Sequence, residues 1–307
     1  MSSSRNQLVS LKQLNEKGIR LVVKREDELH PFISGNKYRK LKYNLLLARE
    51  KGYGTLLSYG GAYSNHISAL SYAGKIHGFK TIGVIRGDEL GIDLSTTLET
   101  NPTLKFAYEN GMRFKFVSRA VYKRKTEQSF SAALKDEFGH FYEIPEGGTN
   151  ALAVRGCEEI LLESDNTYDY ICVSVGTGGT ISGLINSASD HQTILGFQSL
   201  KGNFLEDIIS DCTMKRDNWS LNNEYHFGGY AKINEILISF INNFYQQTTI
   251  PLDPVYTGKM MFGIMDLVKK DFFKKNISIL AIHTGGLQGI KGMNQQLLKK
   301  KLPLISV

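Results

Sequence analysis

The chain repeats one pattern along most of its length: a short apolar run that ends near glycine, followed by a stretch with helical periodicity. The apolar runs are IRLVVKRED, TLLSYGG, TIGVIRG, MRFKFVS, YDYICVSVG, TILGFQSL and ISILAIHTGG. Intervening stretches such as SNHISALSYAGKIHG, ALAVRGCEEILLE and NEILISFINNFYQQ carry apolar residues near positions i, i+3 and i+4. This alternation predicts an α/β fold with mostly parallel sheets flanked by helices.

The length of the chain bounds its domain organisation. With 307 residues, 41% of them hydrophobic, it exceeds one average domain of roughly 100 to 200 residues and can bury a large core. We therefore expect two lobes around a cleft. The sequence contains no internal repeat and no low-complexity linker that would mark where the lobes divide.

The charge of the chain is a weak indication of its partners. A formal net charge of +7 favours anionic ligands through long-range attraction. The cations are interspersed with acids, however, and no nucleic-acid recognition motif accompanies them. We therefore predict no nucleic-acid partner and keep a basic nucleic-acid binder only as an alternative class.

Cysteine and histidine usage argues against a metal site and a disulfide framework. Cys157, Cys172 and Cys212 are widely spaced without a C-x-x-C motif, and the seven histidines occur without H-E-x-x-H. No run of about 18 apolar residues occurs, and the start MSSSRNQLVSLKQLNEKG lacks the apolar core of a signal peptide. We predict a cytoplasmic protein with no metal and no membrane partner.

Three glycine-rich loops follow predicted strands, at the sheet edge where α/β proteins bind ligands. They are YGGAYSNH, VGTGGTISG and HTGGLQG. In the second loop, the backbone N–H groups of residues 176–180 could cradle a phosphate at a helix N-terminus. A dinucleotide fingerprint fails because its third glycine would fall on Ile181. A small phosphate group and a simple tight turn both remain open.

Polar residues in the other two loops could also face a cleft. Ser64 and Asn65 follow the glycine pair of YGGAYSNH, where either residue could merely cap a helix. The same helix end would also suit the carboxylate of a substrate. Thr284 ends an apolar run and can point a hydroxyl group into the cleft.

The stretch GNKYRKLKYNLLL could present a lysine for chemistry at the start of a helix. Asn36 is predicted as the N-cap, which places Lys37 in the first turn. The helix dipole disfavours a cation there and lowers the pKa of the amine, as Schiff-base chemistry requires. Arg39, Lys40 and Lys42 are interpreted as solvated or phosphate-steering charges. An ordinary solvated helix face remains the alternative for the whole stretch.

The order of the motifs along the chain is informative. KRED, SGNKYRKLKYNL, YGGAYSNH, YEIPEGGTN, VGTGGTISGL, DPVYTGKM and IHTGG follow one another across about residues 22–289. In this combination the chain resembles fold type II (β-family) pyridoxal-phosphate enzymes, in particular the group of 1-aminocyclopropane-1-carboxylate (ACC) deaminase and D-cysteine desulfhydrase.

The resemblance implies a two-domain, tryptophan synthase β-like fold with pyridoxal 5'-phosphate in the cleft. The larger, cofactor-binding domain would comprise residues 1–42 and 149–307, and the smaller α/β domain residues 43–148. It also implies a small amino-acid substrate and a homodimer.

The resemblance further implies how the cofactor is held. Lys37 would bond covalently to its aldehyde, Asn65 would bond the ring hydroxyl oxygen, and Thr284 would lie beside the ring nitrogen. The phosphate would be held by Gly176, Thr177, Gly178, Gly179 and Thr180.

A second set of implied residues faces the substrate. Ser64, Asn65 and His66 would bind it, and Ser64 would also take part in proton transfer. Tyr256 of DPVYTGK would face both cofactor and substrate, as would Tyr230 of EYHFGGYAK. With Lys37 and Ser64, these tyrosines complete the predicted catalytic set.

Two positions separate the enzymes of this group. The deaminases carry glutamate after the tyrosine of DPVY and leucine before the late glycine pair, where this chain has Thr257 and Thr284. A carboxylate would keep the pyridine nitrogen protonated, whereas a hydroxyl can only hydrogen-bond. Tyr63, where desulfhydrases commonly carry glutamine, departs from their pattern on the substrate side.

The threonines favour β-elimination of D-cysteine or a similar small D-amino acid, which gives pyruvate, ammonia and sulfide. The alternative within the group is deamination of ACC to 2-oxobutanoate and ammonia. An alternative of another class is a cofactor-binding protein without catalysis.

Overall fold

The computed structural model describes residues 4–202, 205–213 and 217–307, which form ten β-strands and thirteen α-helices. The strands are β1 (Asn6–Leu8), β2 (Arg20–Lys24), β3 (Thr55–Gly61), β4 (Lys80–Arg86), β5 (Met112–Val117), β6 (Tyr142–Ile144), β7 (Tyr170–Val175), β8 (Thr193–Gln198), β9 (Trp219–Asn222) and β10 (Ser278–Ile282). The helices are α1 (Lys12–Lys17), α2 (Asn36–Glu50), α3 (Asn65–His77), α4 (Leu94–Thr100), α5 (Pro102–Glu109), α6 (Arg119–Lys123), α7 (Gln128–Phe138), α8 (Ala151–Glu158), α9 (Gly179–Ser187), α10 (Leu205–Asp211), α11 (Glu235–Thr248), α12 (Thr257–Lys269) and α13 (Gly289–Lys299).

The strands of the described residues form two sheets. The larger sheet has the order β1-β2-β10-β7-β8-β9, and in it only β1 pairs antiparallel with its neighbour. The smaller sheet has the order β5-β4-β3-β6 and is parallel throughout. The predicted α/β class with mostly parallel sheets is confirmed.

Each of the seven predicted apolar runs overlaps a strand: β2, β3, β4, β5, β7, β8 and β10. The sequence did not predict β1, β6 and β9, which have three, three and four residues. Strands this short show too few alternations for periodicity to reveal them.

The two sheets use separate parts of the chain. All strands of the smaller sheet lie between Thr55 and Ile144, whereas those of the larger sheet lie before residue 25 or after residue 169. The proposed division between residues 42 and 43 falls inside α2, which continues through it. The domain bounds 1–42 with 149–307 and 43–148 therefore stay a proposal.

The central strands of the larger sheet, β7 and β10, are buried on both faces, which explains their mostly apolar sequences. Along β10, Ile279 and Ala281 belong to one hydrophobic cluster and Leu280 and Ile282 to another. Further clusters surround the smaller sheet. Among the described helices, none has both the length and the apolar character to span a bilayer.

Buried ion pairs fix the segment between β2 and α2. The Arg39 guanidinium donates two hydrogen bonds to the Glu26 carboxylate, at 2.9 and 3.0 Å. Arg39 is only 4% exposed, so its interpretation as a solvated or phosphate-steering charge was wrong. The reason is that Glu26, itself fully buried, needs a cation as its partner.

Gly35 lets α2 begin against the loop that follows β10. Its φ of +62° lies in the left-handed region, and a Cβ added there would lie 2.0 Å from the carbonyl oxygen of Thr284. The next backbone N–H, of Asn36, donates to this same oxygen at 3.3 Å. A side chain at position 35 would therefore separate α2 from the larger sheet.

We expect Gly35→Ala to lower the free energy of unfolding by about 2 to 4 kcal/mol, because a backbone clash adds to left-handed strain. Urea denaturation measures this change. Gly54→Ala is the matched control, since its Cβ would meet nothing within 4 Å and its φ is not positive. Equal stability of the two variants would contradict the role given to the contact with Thr284.

Candidate active site

The predicted loops meet at the carboxyl edges of the two sheets. β2, β10 and β7 are neighbours in the larger sheet, so the segments that follow them lie side by side. The loop after β3 approaches from the smaller sheet, where Asn65 Oδ1 accepts a hydrogen bond from Gln288 Nε2 at the start of α13. The structure thus brings all the predicted loops to one cleft.

Lys37 lies in the first turn of α2 with its amine surrounded by packed atoms, although part of the residue remains accessible. Burial lowers the pKa of Lys37 to about 7, with a further contribution from the positive charge of Lys40. The downward direction agrees with the sequence prediction. Its main cause is burial, which disfavours the charged amine.

Asn36 is not the N-cap of α2, contrary to the prediction. The helix begins at Asn36, and Gly35 occupies the N-cap position without a side-chain cap. The Asn36 side chain is therefore available for other partners: Nδ2 donates to Thr180 Oγ1 at 2.8 Å, and Oδ1 accepts from Lys37 Nζ at 3.3 Å. Asn36 thus links the lysine to the loop after β7.

The loop after β7 has the form of an anion cradle. Gly176 and Thr177 lead into Gly178, whose φ is +84°, and α9 begins at Gly179 without a side-chain cap. The first N–H groups of such a helix have no partner within the helix and point along its axis. A Cβ at position 179 would lie 2.9 Å from Thr149 Cγ2, so this approach requires glycine.

Lys40 completes the cradle from α2. Its Nζ lies 3.0 Å from Thr149 Oγ1 and 3.4 Å from Thr177 Oγ1, and the residue is 2% exposed. It is therefore not a solvated charge, because its position one turn after Lys37 directs it inward. Burial lowers the pKa of Lys40. A buried ammonium, hydroxyl groups and helix N–H groups form a donor set that fits a phosphate.

Ser64, Asn65 and His66 begin α3. Ser64 Oγ accepts a hydrogen bond from the backbone N–H of Ile67 at 3.3 Å, which confirms the capping role considered from the sequence. His66 is 1% exposed, with Nε2 2.9 Å from Ser58 Oγ and no hydrogen-bond partner for Nδ1 among the described residues. The substrate contacts of all three residues stay a prediction.

Burial and the neighbouring charges of Lys37 and Lys40 hold the pKa of His66 well below its usual value. The ring is therefore neutral at physiological pH. A neutral imidazole with an unpaired Nδ1 can donate or accept one further hydrogen bond, depending on its tautomer.

Tyr256 and Tyr230 lie together beside the cradle. Their ring centroids are 6.2 Å apart at 65°, and a Cβ at Gly176 would lie 3.1 Å from the Tyr256 ring. Burial, followed by the proximity of Tyr230, raises the pKa of Tyr256 well above its usual value. Tyr256 therefore stays a neutral phenol that can donate a hydrogen bond.

The two threonines that separate the predicted branches lie in different environments. The Thr257 hydroxyl donates to Asp253 Oδ1 at 2.8 Å and accepts from the Asp253 backbone N–H at 2.9 Å. Thr284 Oγ1 lies 3.0 Å from Ser174 Oγ at the adjacent ends of β10 and β7. Thr257, the first residue of α12, is thus bonded to Asp253 in the preceding loop, whereas Thr284 and Ser174 form a hydroxyl pair.

The same carboxylate secures the backbone that carries Tyr256. Asp253 also accepts hydrogen bonds from the N–H groups of Val255, Tyr256 and Thr257, at 2.9, 3.0 and 2.7 Å. Asp253 is 1% exposed. With four donors on two oxygens, this carboxylate has little capacity left for a ligand.

Sequence reasoning did not assign Asn36, Thr149, Ser174 and Gln288 to the site. Thr149 and Gln288 lie within motifs that were singled out, YEIPEGGTN and HTGGLQG, but as uncharged residues they gave no separate signal. Tyr63 packs against α13, where a Cβ at Gly292 would lie 2.6 Å from its ring. Only the tertiary contacts identify these roles.

Comparisons with known proteins agree with this geometry. A family model described as "Pyridoxal-phosphate dependent enzyme" matches residues 3–285. A solved structure, "Crystal Structure Analysis of the ACC deaminase homologue", has a TM-score of 0.79 and 29% identity, covering 97% of this chain and 94% of that one. This match confirms the predicted fold type II architecture.

Two curated relatives carry names from the same group. The mitochondrial bifunctional D-cysteine desulfhydrase/1-aminocyclopropane-1-carboxylate deaminase of Arabidopsis thaliana is 27% identical, over 89% of this chain and 74% of its own. The D-cysteine desulfhydrase of Klebsiella pneumoniae is 26% identical, over 88% of this chain and 87% of its own. The names of the relatives thus divide between two substrates.

The pKa of about 7 for Lys37 predicts how the apoprotein captures pyridoxal 5'-phosphate. Only a neutral amine attacks an aldehyde, so we expect the capture rate to rise with pH, roughly tenfold per unit well below pH 7, and to level off above about pH 8. Stopped-flow absorbance measures this rate. A rate that keeps rising to about pH 10, as for an ordinary lysine, would contradict the shift.

We expect Lys40→Gln to weaken the affinity for pyridoxal 5'-phosphate roughly 10- to 100-fold, because it removes a charge-assisted hydrogen bond to the phosphate. Equilibrium dialysis gives the constants. Pyridoxal, which lacks the phosphate, should bind the variant and the natural protein equally weakly. Lys42→Gln is the control on the same helix, since Lys42 pairs with Glu159 instead. An equal loss for both ligands would contradict the phosphate role.

Proposed function

The chain belongs to the family of pyridoxal-phosphate dependent enzymes, and from this premise we propose that it catalyses β-elimination on a small D-amino acid such as D-cysteine. The products would be pyruvate, ammonia and sulfide. The coarser statement is that the protein is a pyridoxal-phosphate-dependent lyase or deaminase. The choice of substrate within that class is the proposal.

The observation that carries this choice is the hydroxyl pair of Thr284 and Ser174, 3.0 Å apart. Bound pyridoxal 5'-phosphate supplies an electron sink whose strength depends on the partner of its ring nitrogen. In the arrangement implied by the resemblance, the Thr284 hydroxyl is that partner. A hydroxyl carries no negative charge to hold a proton on the nitrogen. A weaker sink suffices when a thiolate departs readily, and it suits the opening of a carbon ring less well.

Thr257 supports the same choice. It carries a hydroxyl where the deaminases are expected to carry the carboxylate of a glutamate. That hydroxyl is bonded to Asp253. Asp253 cannot replace that glutamate, because its two oxygens already accept four hydrogen bonds.

In the proposed reaction, Lys37 would act as the base. With a pKa of about 7, its amine is substantially neutral at physiological pH and can accept the α-proton of the substrate at Nζ. Asn36 Oδ1, at 3.3 Å from Nζ, can orient the amine.

Tyr256 would assist the departure of the leaving group. Tyr256, whose phenol remains protonated, can donate a hydrogen bond to the sulfur as it leaves with the electron pair of the carbon–sulfur bond. Addition of water to the resulting 2-aminoacrylate then gives pyruvate and ammonia.

Deamination of ACC is the second candidate. It is favoured by the similarity to a solved structure described as an ACC deaminase homologue and by the name of the Arabidopsis relative, which includes this activity. It would yield 2-oxobutanoate and ammonia without sulfide. A homodimer and a cytoplasmic location stay predictions from the sequence, and sedimentation analysis would measure the first.

A substrate panel tests the proposal. We expect D-cysteine and β-chloro-D-alanine to yield pyruvate faster than L-cysteine or serine does, and faster than ACC yields 2-oxobutanoate, with sulfide released from D-cysteine but not from β-chloro-D-alanine. Lys37→Ala should lower the rate by about 100- to 10,000-fold, since it removes the base. Lys42→Ala, on the same helix, is the matched control. Turnover of ACC without sulfide from D-cysteine would replace the proposal by its alternative.

A further inference from the structure

Lys259 is a buried cation that the proposed reaction does not use. It lies in the first turn of α12, three residues after Tyr256, and is 1% exposed. Its Nζ donates to the backbone carbonyl oxygens of His226 and Gly229, at 2.9 and 2.8 Å. Because a buried charge is unfavourable unless it is hydrogen-bonded, an ammonium group held by two carbonyl oxygens indicates that Lys259 positions the backbone carrying them.

The two carbonyl groups belong to consecutive turns of one loop. The backbone N–H of Gly229 donates to His226 O at 3.0 Å, and that of Lys232 donates to Gly229 O at 3.2 Å. Lys259 therefore bonds the first carbonyl of each turn. A single side chain thus fixes both turns relative to α12.

The backbone conformation of this loop requires a restraint from outside the loop. Phe227, Gly228, Gly229 and Ala231 have φ values of +54°, +91°, +115° and +55°. Positive φ is unfavourable for residues with a side chain, and the two glycines add conformational freedom to the unrestrained loop. Local contacts alone would therefore leave several alternative conformations accessible.

Tyr230 lies inside the second turn, directly after Gly229. The residue is 43% exposed, and its ring lies at 65° to the ring of Tyr256. Tyr256 immediately precedes α12, and Lys259 is in the first turn of that helix. The start of one helix therefore carries one phenol and fixes the loop that carries the other.

Burial lowers the pKa of Lys259 to about 8, an effect that the charge of Asp253 partly offsets. A folded pKa below the ordinary value means that the charged amine is disfavoured by folding. This unfavourable contribution to the free energy of folding is fully present below about pH 8. It decreases as the pH rises from there toward the ordinary pKa of lysine, because the amine of the folded protein loses its proton first. At neutral pH this charge therefore does not add to global stability.

We propose that Lys259 is a positioning residue for Tyr230: by binding both turn carbonyls, it holds the Tyr230 phenol opposite Tyr256 on the substrate side of the cleft. The kinetic consequence rests on the proposed function, because it requires Tyr230 to act on the substrate. The consequence for the loop itself does not depend on any activity.

The first test is hydrogen exchange on the holoenzyme carrying Lys259→Met, which keeps the length of the side chain but removes its donors. We expect amide exchange of residues 226–232 to accelerate at least tenfold, with little change elsewhere and no fall in Tm at pH 7. Lys232→Met, an exposed lysine of the same loop, should leave exchange unchanged. Lys259→Gln, which keeps N–H donors, should restore part of the protection.

The second test is a double-mutant cycle with Tyr230→Phe. If Lys259 acts through Tyr230, Lys259→Met should lower kcat/KM for the best substrate of the panel in the natural background and cost little more in the Tyr230→Phe background. Additive losses would overturn the proposal. So would faster exchange throughout the protein with a lower Tm, or unchanged exchange in the loop. If no substrate is turned over, the proposed function fails while the exchange experiment still decides the role of Lys259.

Discussion

The contact between Gly35 and the carbonyl oxygen of Thr284 joins the start of α2 to the larger sheet. The absence of a Cβ lets the two backbones meet, and the Asn36 N–H bonds the same oxygen at 3.3 Å. The first turn of α2 consequently faces the loops after β7 and β10, with Lys37 and Lys40 directed toward them. The candidate site depends on this approach, since both amines reach the cleft from that single turn.

We assign different roles to three lysines with buried amines, because their hydrogen-bond partners differ. Burial lowers the pKa of Lys37, Lys40 and Lys259 alike. Their partners differ: the Asn36 side chain for Lys37, two threonine hydroxyls for Lys40, and two backbone carbonyls for Lys259. The groups around each amine therefore distinguish a proposed base, a proposed phosphate ligand and a proposed loop anchor.

The longer elements could be predicted because their signals are local. Continuous apolar runs between glycines located β3 and β7, and a 3.6-residue periodicity located α3 and α11. The three-residue strands β1 and β6 gave no such signal. The interpretation of Arg39 was wrong for a related reason, as was the solvated alternative for Lys40. A charged residue in a helix is normally exposed, and only the distant partners Glu26 and Thr149 explain the burial of these two side chains.

The sequence by itself determined the α/β class, the order of the glycine-rich loops and the family to which their motifs point, because each depends on residues close together along the chain. Only the tertiary structure decided that Asn36 bonds Thr180, that Thr284 pairs with Ser174, and that Lys259 binds the loop of Tyr230. In each case the partners are separated by about 30 residues or more. Their pairing follows from strand order and helix packing, which no local pattern encodes.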